Sequence, residues 1–140
     1  MNKITAQEVT VALDELRQVL GKPVELNENG ACYLNYQDEI PLLIQYLEEE
    51  SRLVLGAEFL GDLENAPGED WLAALSWNWM GIQSHGCALS PDFKSGTILV
   101  WRDVRRSPLS GESLAEELAD FLSHVLISKK AFAEASLATN

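Results

Sequence analysis

Reactive groups, metal ligands and cations are all scarce in this 140-residue chain. There are two cysteines, Cys32 and Cys87, far apart and forming no CxxC. They read as buried free thiols in a reducing compartment, which excludes a disulfide framework and a redox centre. The two histidines, His85 and His124, fall in different segments. His85-Gly86-Cys87 sets an imidazole beside a thiol, but no second pair completes a four-ligand site, so no metal is expected. His124 reads as a surface or rim residue. Walker, GxGxxG and GxSxG motifs are missing, and with them the usual nucleotide and nucleophile-elbow chemistries. Glu48-Glu49-Glu50 and Glu116-Glu117 are most simply solvated turn and helix faces rather than acid/base pairs. No catalytic residue and no cofactor is expected.

Positive charge is also thin. Ten Lys+Arg against 22 Asp+Glu leave a net charge of -12, and the only adjacent basic pairs are Arg105-Arg106 and Lys129-Lys130. Nucleic acid needs clustered cations to displace its counterions, so it is an unfavourable partner, and an anionic membrane surface is unfavourable for the same reason. No run approaches the ~18 to 20 apolar residues of a membrane span, and Met1 to Gln7 lacks the apolar stretch of a signal peptide. A cytoplasmic location is expected.

What is present is an average globular mixture, 46% hydrophobic and 23% charged, at a size suited to a single domain over residues 1–140 with one core. Thr5 to Leu20 reads as a helix, opened by Thr5-Ala6-Gln7-Glu8 and closed by Gly21 with Pro23 beyond it. Val9, Leu13, Leu16 and Leu20 form its buried stripe, and Val11 and Val19 lie off it as surplus apolar surface. From Ala31 to Leu60 the period becomes two, giving strands near Ala31–Tyr36, Ile40–Leu47 and Ser51–Phe59 in a meander. Ile40, Leu42, Ile44 and Tyr46 share one face while Leu43 and Leu47 take the other, and Val54 and Leu60 oppose Leu53, Leu55, Ala57 and Phe59. Apolar residues on both faces imply that the second face is covered too.

Gly61 to Gly68 reads as a loop, and a helix is expected from about Glu69 to Ile82. Its residues Trp71, Leu72, Ala73, Ala74, Leu75, Trp77, Trp79, Met80 and Ile82 leave only Ser76 and Asn78 as polar breaks. A helix apolar all round must be covered on both sides, which favours a subunit interface; the alternative is a central core helix in a monomer. A strand near Cys87–Leu89 and another over Thr97–Val104 make a second hairpin. A last helix begins at Gly111 or Ser113 and ends near Lys130, with Leu114, Leu118, Phe121 and Val125 buried, leaving a tail Ala131–Asn140 that frays. The fold class is therefore α+β, in the order α-β-β-β-α-β-β-α, with an antiparallel sheet packed by helices. High negative charge, surplus apolar surface and no reactive centre suit a binder that shields apolar segments of another chain.

These features resemble the class I chaperones of bacterial type III secretion, the family that includes the Tir chaperone. The resemblance covers nearly the whole chain. It is carried by the capped helix ending Leu20-Gly21-Lys22-Pro23 and by the meander from Cys32-Tyr33-Leu34-Asn35-Tyr36 through Leu53-Val54-Leu55-Gly56-Ala57. The segment Trp71 to Asn78, a Gly-containing turn into a hairpin, and the amphipathic Leu114–Leu126 complete it. The resemblance implies a homodimer formed largely through the Trp-rich helix and the neighbouring strand, with Trp71, Leu75, Trp77, Asn78 and Trp79 at the interface. It further implies binding of the N-terminal segment of a secreted effector, in extended form, at Val11, Val19, Leu43, Leu47 and Val54. Some family members also contact the ATPase of the secretion apparatus. The Trp content of Trp71–Trp79 departs from the aliphatic residues commoner in the family. A second reading keeps the fold but makes the chain a regulatory or scaffold dimer for a cytosolic protein such as that ATPase or a transcription factor.

Overall fold

A computed structural model of the chain describes residues 3–36, 40–61, 87–92, 96–104 and 109–138. Helix α1 spans Ala6–Leu20. Its cap is the expected one: Thr5 is extended and its hydroxyl accepts a hydrogen bond from the Glu8 N–H at 3.2 Å, satisfying one of the donors a helix start leaves unpaired. At the other end Gly21 adopts a left-handed conformation (φ 66), and its N–H donates to the Arg17 carbonyl at 2.9 Å. Val9, Ala12, Leu13 and Leu16 point into the core.

Among the described residues five strands follow: β1 Ala31–Tyr36, β2 Ile40–Leu47, β3 Arg52–Leu60, β4 Cys87–Asp92 and β5 Thr97–Val104. They form one antiparallel sheet in the order β1-β2-β3-β5-β4. The first three make the expected meander, with a 3₁₀ turn at Glu48–Glu50, and the β4–β5 hairpin joins it through β5. Strand β4 runs past the expected Leu89 to Asp92, through Pro91. Proline lacks an N–H, but β4 is an edge strand, where a missing ladder donor is tolerated.

Helix α2 spans Gly111–Ala138 and continues beyond the Lys130 end expected of it. The extension is rich in alanine, the best helix former, and contains neither glycine nor proline to stop it. Together α1 and α2 cover one face of the sheet. Leu13 and Leu16 of α1, Leu114, Leu118, Phe121 and Val125 of α2, and Leu42, Ile44, Leu53, Leu55, Phe59, Val100 and Val104 of the sheet belong to one buried cluster. The α+β class and the antiparallel sheet packed by helices are as expected. The helix expected over Glu69–Ile82, and with it Trp71, Leu75, Trp77, Asn78 and Trp79, lies outside the described residues.

Candidate client-binding surface

Because side chains alternate across a strand, the residues opposite the core face form a second, outer face. Register places five of them in one row across the whole sheet: Tyr33 on β1 faces Leu43 on β2, Leu43 faces Gly56 on β3, Gly56 faces Trp101 on β5, and Trp101 faces Ala88 on β4. All but Gly56 carry side chains, and Leu43 leans over Gly56, its Cδ2 3.6 Å from where a Cβ would stand. Beside this row is a groove of about 320 Å³ lined by Tyr33, Pro41, Leu43, Gly56, Glu58 and Leu99 among others. Tyr33 is 72% exposed, the most exposed large apolar side chain among the described residues.

The backbone of β1 is as informative as its side chains. Among the described residues it is an edge strand, bonded only to β2. Tyr46 N–H donates to the Gly30 carbonyl at 2.8 Å, so alternation turns Cys32 and Leu34 toward β2, and Ala31, Tyr33 and Asn35 present their backbone groups outward. Ala31 is already satisfied: its carbonyl accepts from the Asn27 N–H at 2.8 Å and its N–H donates to Asn27 Oδ1 at 3.0 Å. The Asn35 carbonyl accepts from Lys22 Nζ at 2.8 Å. Among the described residues no hydrogen bond reaches the outward N–H and C=O of Tyr33. The edge is thus closed at its beginning, guarded near its end and open at its most exposed aromatic residue.

The five positions assigned to client contact fall in two places. Val11 and Val19 are exposed on α1, at 49% and 64%. Leu43, Leu47 and Val54 are half-buried on the outer sheet face, where Val54 faces Gln45 and Asp103. Leu47 faces Arg52, which is held by Asp103 at 2.6 and 3.1 Å and approaches Glu50 at 3.4 Å. The Asp103 carboxylate keeps the Arg52 guanidinium above its ordinary basicity. Sequence reasoning overlooked Tyr33, Gly56 and Trp101. The signal was available in β1, where Tyr33 shares its face with Asn35 and Ala31 rather than with Cys32 and Leu34.

The core face holds a second feature that periodicity did not reveal. Arg102 on β5 is buried beneath α2, where it donates to Asp120 Oδ2 at 2.9 Å, to the Glu117 carbonyl at 3.1 Å and to Glu117 Oε2 at 3.3 Å. Its guanidinium lies 5.7 Å from the Phe121 ring centroid, a cation–π distance. His124, half-buried on α2, approaches Asp120 at 3.6 Å. Both cysteines are buried free thiols. Desolvation pushes Cys32 and Cys87 above the ordinary thiol range, with Arg102 partly offsetting the rise at Cys87. Among the described residues no group of His, Cys, Asp and Glu has the arrangement of a metal site, and no helix is long and apolar enough to cross a membrane.

Comparison with known proteins follows the same outline. A search of curated protein sequences gives no match. Among solved structures, an ExsC-ExsE complex matches with a TM-score of 0.76 at 20% identity, covering 91% of this chain and 95% of that chain. The HopA1-SchA chaperone-effector complex gives 0.68 at 21%, covering 91% and 94%. The heterodimeric ExoU-SpcU complex from the type III secretion system of Pseudomonas aeruginosa gives 0.59 at 15%, covering 86% and 93%. At these identities the likeness establishes the fold. The family model for the Tir chaperone protein (CesT) family matches residues 11–127, from the middle of α1 to well into α2, and the chain belongs to that family.

Proposed function

We propose that this protein is a cytosolic, non-catalytic chaperone of type III secretion that holds the N-terminal binding segment of an effector in extended form. The observation that carries this reading is the open backbone of Tyr33 on the β1 edge, set beside the apolar groove of the outer face. An added strand would pair its main chain with Tyr33 and lay alternate side chains onto Tyr33, Pro41 and Leu43, the mode by which exposed sheet edges take up peptides. Main-chain pairing supplies affinity for any extended segment, and the groove selects apolar side chains. Val11 and Val19 would receive a further part of the client on α1. Homodimerisation through Trp71, Leu75, Trp77, Asn78 and Trp79 rests on the apolar character of that segment and on family membership.

The reading is tested by co-expressing a candidate effector with the wild-type chain and with Tyr33→Pro. Proline here deletes an outward N–H that β2 does not use, so the sheet should survive while the added strand loses a donor. The wild type should co-purify with effector at about two chains per effector, as expected for dimeric recognition of one segment. The variant should fold, by circular dichroism, and lose the effector. A folded variant that retains its client at full strength would rule out the edge as the binding site.

A further inference from the structure

Beyond the Ala31 end of the same edge lies a larger recess, about 620 Å³ in volume, between the start of α1, the turn preceding β1 and the β2–β3 connection. Leu26, Tyr46 and Leu47 provide apolar surface, and Glu28, Glu48, Glu49 and Glu50 supply the charge. Among the described residues no Lys, Arg or His lines it. Of these carboxylates the nearby Arg52 reaches Glu50, at 3.4 Å, and it is bound more closely to Asp103, at 2.6 Å. Tyr46 is fixed by its hydroxyl, which donates to the Ile4 carbonyl at 2.8 Å, so the apolar surface is in place before any ligand arrives.

We propose that this recess binds a lysine or arginine side chain of the client segment, its aliphatic stem on Leu26 and Tyr46 and its cationic head among Glu28, Glu48 and Glu49. A long basic side chain is the occupant that uses both parts, burying methylenes while keeping its charge beside carboxylates. Gly30 at the recess and Tyr33 at the open edge are three residues apart, a span of about 10 Å in an extended strand. The basic residue therefore lies three or four positions from the client residue paired with Tyr33. The inference rests on the edge-pairing reading above and adds a charge requirement to it: apolar alternation alone does not make a good client, and an acidic flank is rejected.

The test uses three synthetic peptides sharing an alternating Val-Thr core of eight residues, extended by three Lys, three Ser or three Glu, each made with the extension at either end. Binding to the full chain is measured by titration calorimetry, and amide shifts are followed at Tyr33, Gly30 and Leu47. The Lys peptide should bind about ten-fold more tightly than the Glu peptide at low salt, for one placement of the extension, and the advantage should shrink as salt screens it. The combined variant Glu28→Gln, Glu48→Gln, Glu49→Gln should reduce the preference to about two-fold and leave the Ser peptide unaffected. A control removing the same charge elsewhere, Asp14→Asn, Glu112→Gln, Glu116→Gln, should keep it, separating the recess from the overall negative charge. Ser-peptide binding with shifts at Tyr33 but no Lys preference, or equal loss in the control, overturns the recess and leaves the edge standing. If no peptide binds, both fall.

Discussion

At the scale of single residues, Arg102 is the exception in an otherwise apolar face. A buried guanidinium is costly unless its donors are used; Glu117 and Asp120 on α2 take those of both terminal nitrogens, while the buried Nε has no hydrogen-bond partner. Asp120 is more than half exposed and contributes little by itself, so the cost of breaking the cluster falls mainly on the packing of Arg102 and on the less exposed Glu117. Arg102→Ala should lower stability by about 3 kcal/mol. Arg102→Met, which fills the space without an ion pair, should lose markedly less in a urea denaturation; equal losses would show that the charge matters more than the volume. The two thiols make a second residue-scale prediction. Burial raises both above the ordinary value of 9.0, so the folded state holds its protons where the unfolded chain has released them. The stability they contribute is complete below about pH 9 and declines as pH rises toward the folded-state values. Native protein at pH 8 should react with a thiol reagent only as fast as it opens, and Cys32→Ala with Cys87→Ala should flatten the alkaline loss.

At the scale of elements, the meeting of the two helices depends on one glycine. Gly111 begins α2, where its N–H donates to Glu15 Oε2 of α1 at 3.2 Å, so a carboxylate stands at the positive end of α2. A Cβ at this position would lie 2.9 Å from the backbone carbon of Glu15 and from Leu16 N, and closer still to the Glu15 Cβ. Backbone atoms cannot swing aside. Within helices Ala normally outranks Gly by ~1 kcal/mol, yet Gly111→Ala should destabilise the protein by about 1–3 kcal/mol through overpacking. The sign of the change in a thermal melt decides the matter. The glycine was legible in the sequence only as a possible helix start; the crossing of α1 and α2 that requires it joins residues 96 positions apart.

At the scale of the whole molecule, one sheet face is sealed by α1 and α2 and the other keeps a half-buried apolar row ending at an open edge. Such a surface on a monomer invites association, and the net charge of -12 opposes indiscriminate contact between copies. The proposed dimer makes a direct prediction: Trp77→Glu or Trp79→Glu should convert the wild-type dimer to monomer or aggregate, read as molar mass by light scattering on a sizing column. Dimers for both variants would place the interface elsewhere. Retained client binding by a monomeric variant would show that the β1 edge works within one subunit.

Periodicity and capping signals were enough to determine α1, the three-strand meander, the β4–β5 hairpin and the buried stripe of α2, because each depends on residues within a few positions of one another. The scarcity of clustered cations made nucleic acid an unfavourable partner. What needed tertiary structure was every property created by register. Tyr33 is an ordinary strand residue until the order β1-β2-β3-β5-β4 leaves its backbone on an edge. Arg102 is one basic residue among ten until α2 lies over it. The recess at Glu28 and Glu48 assembles from turns 20 residues apart, and a linear chain carries no record of which of its turns will meet.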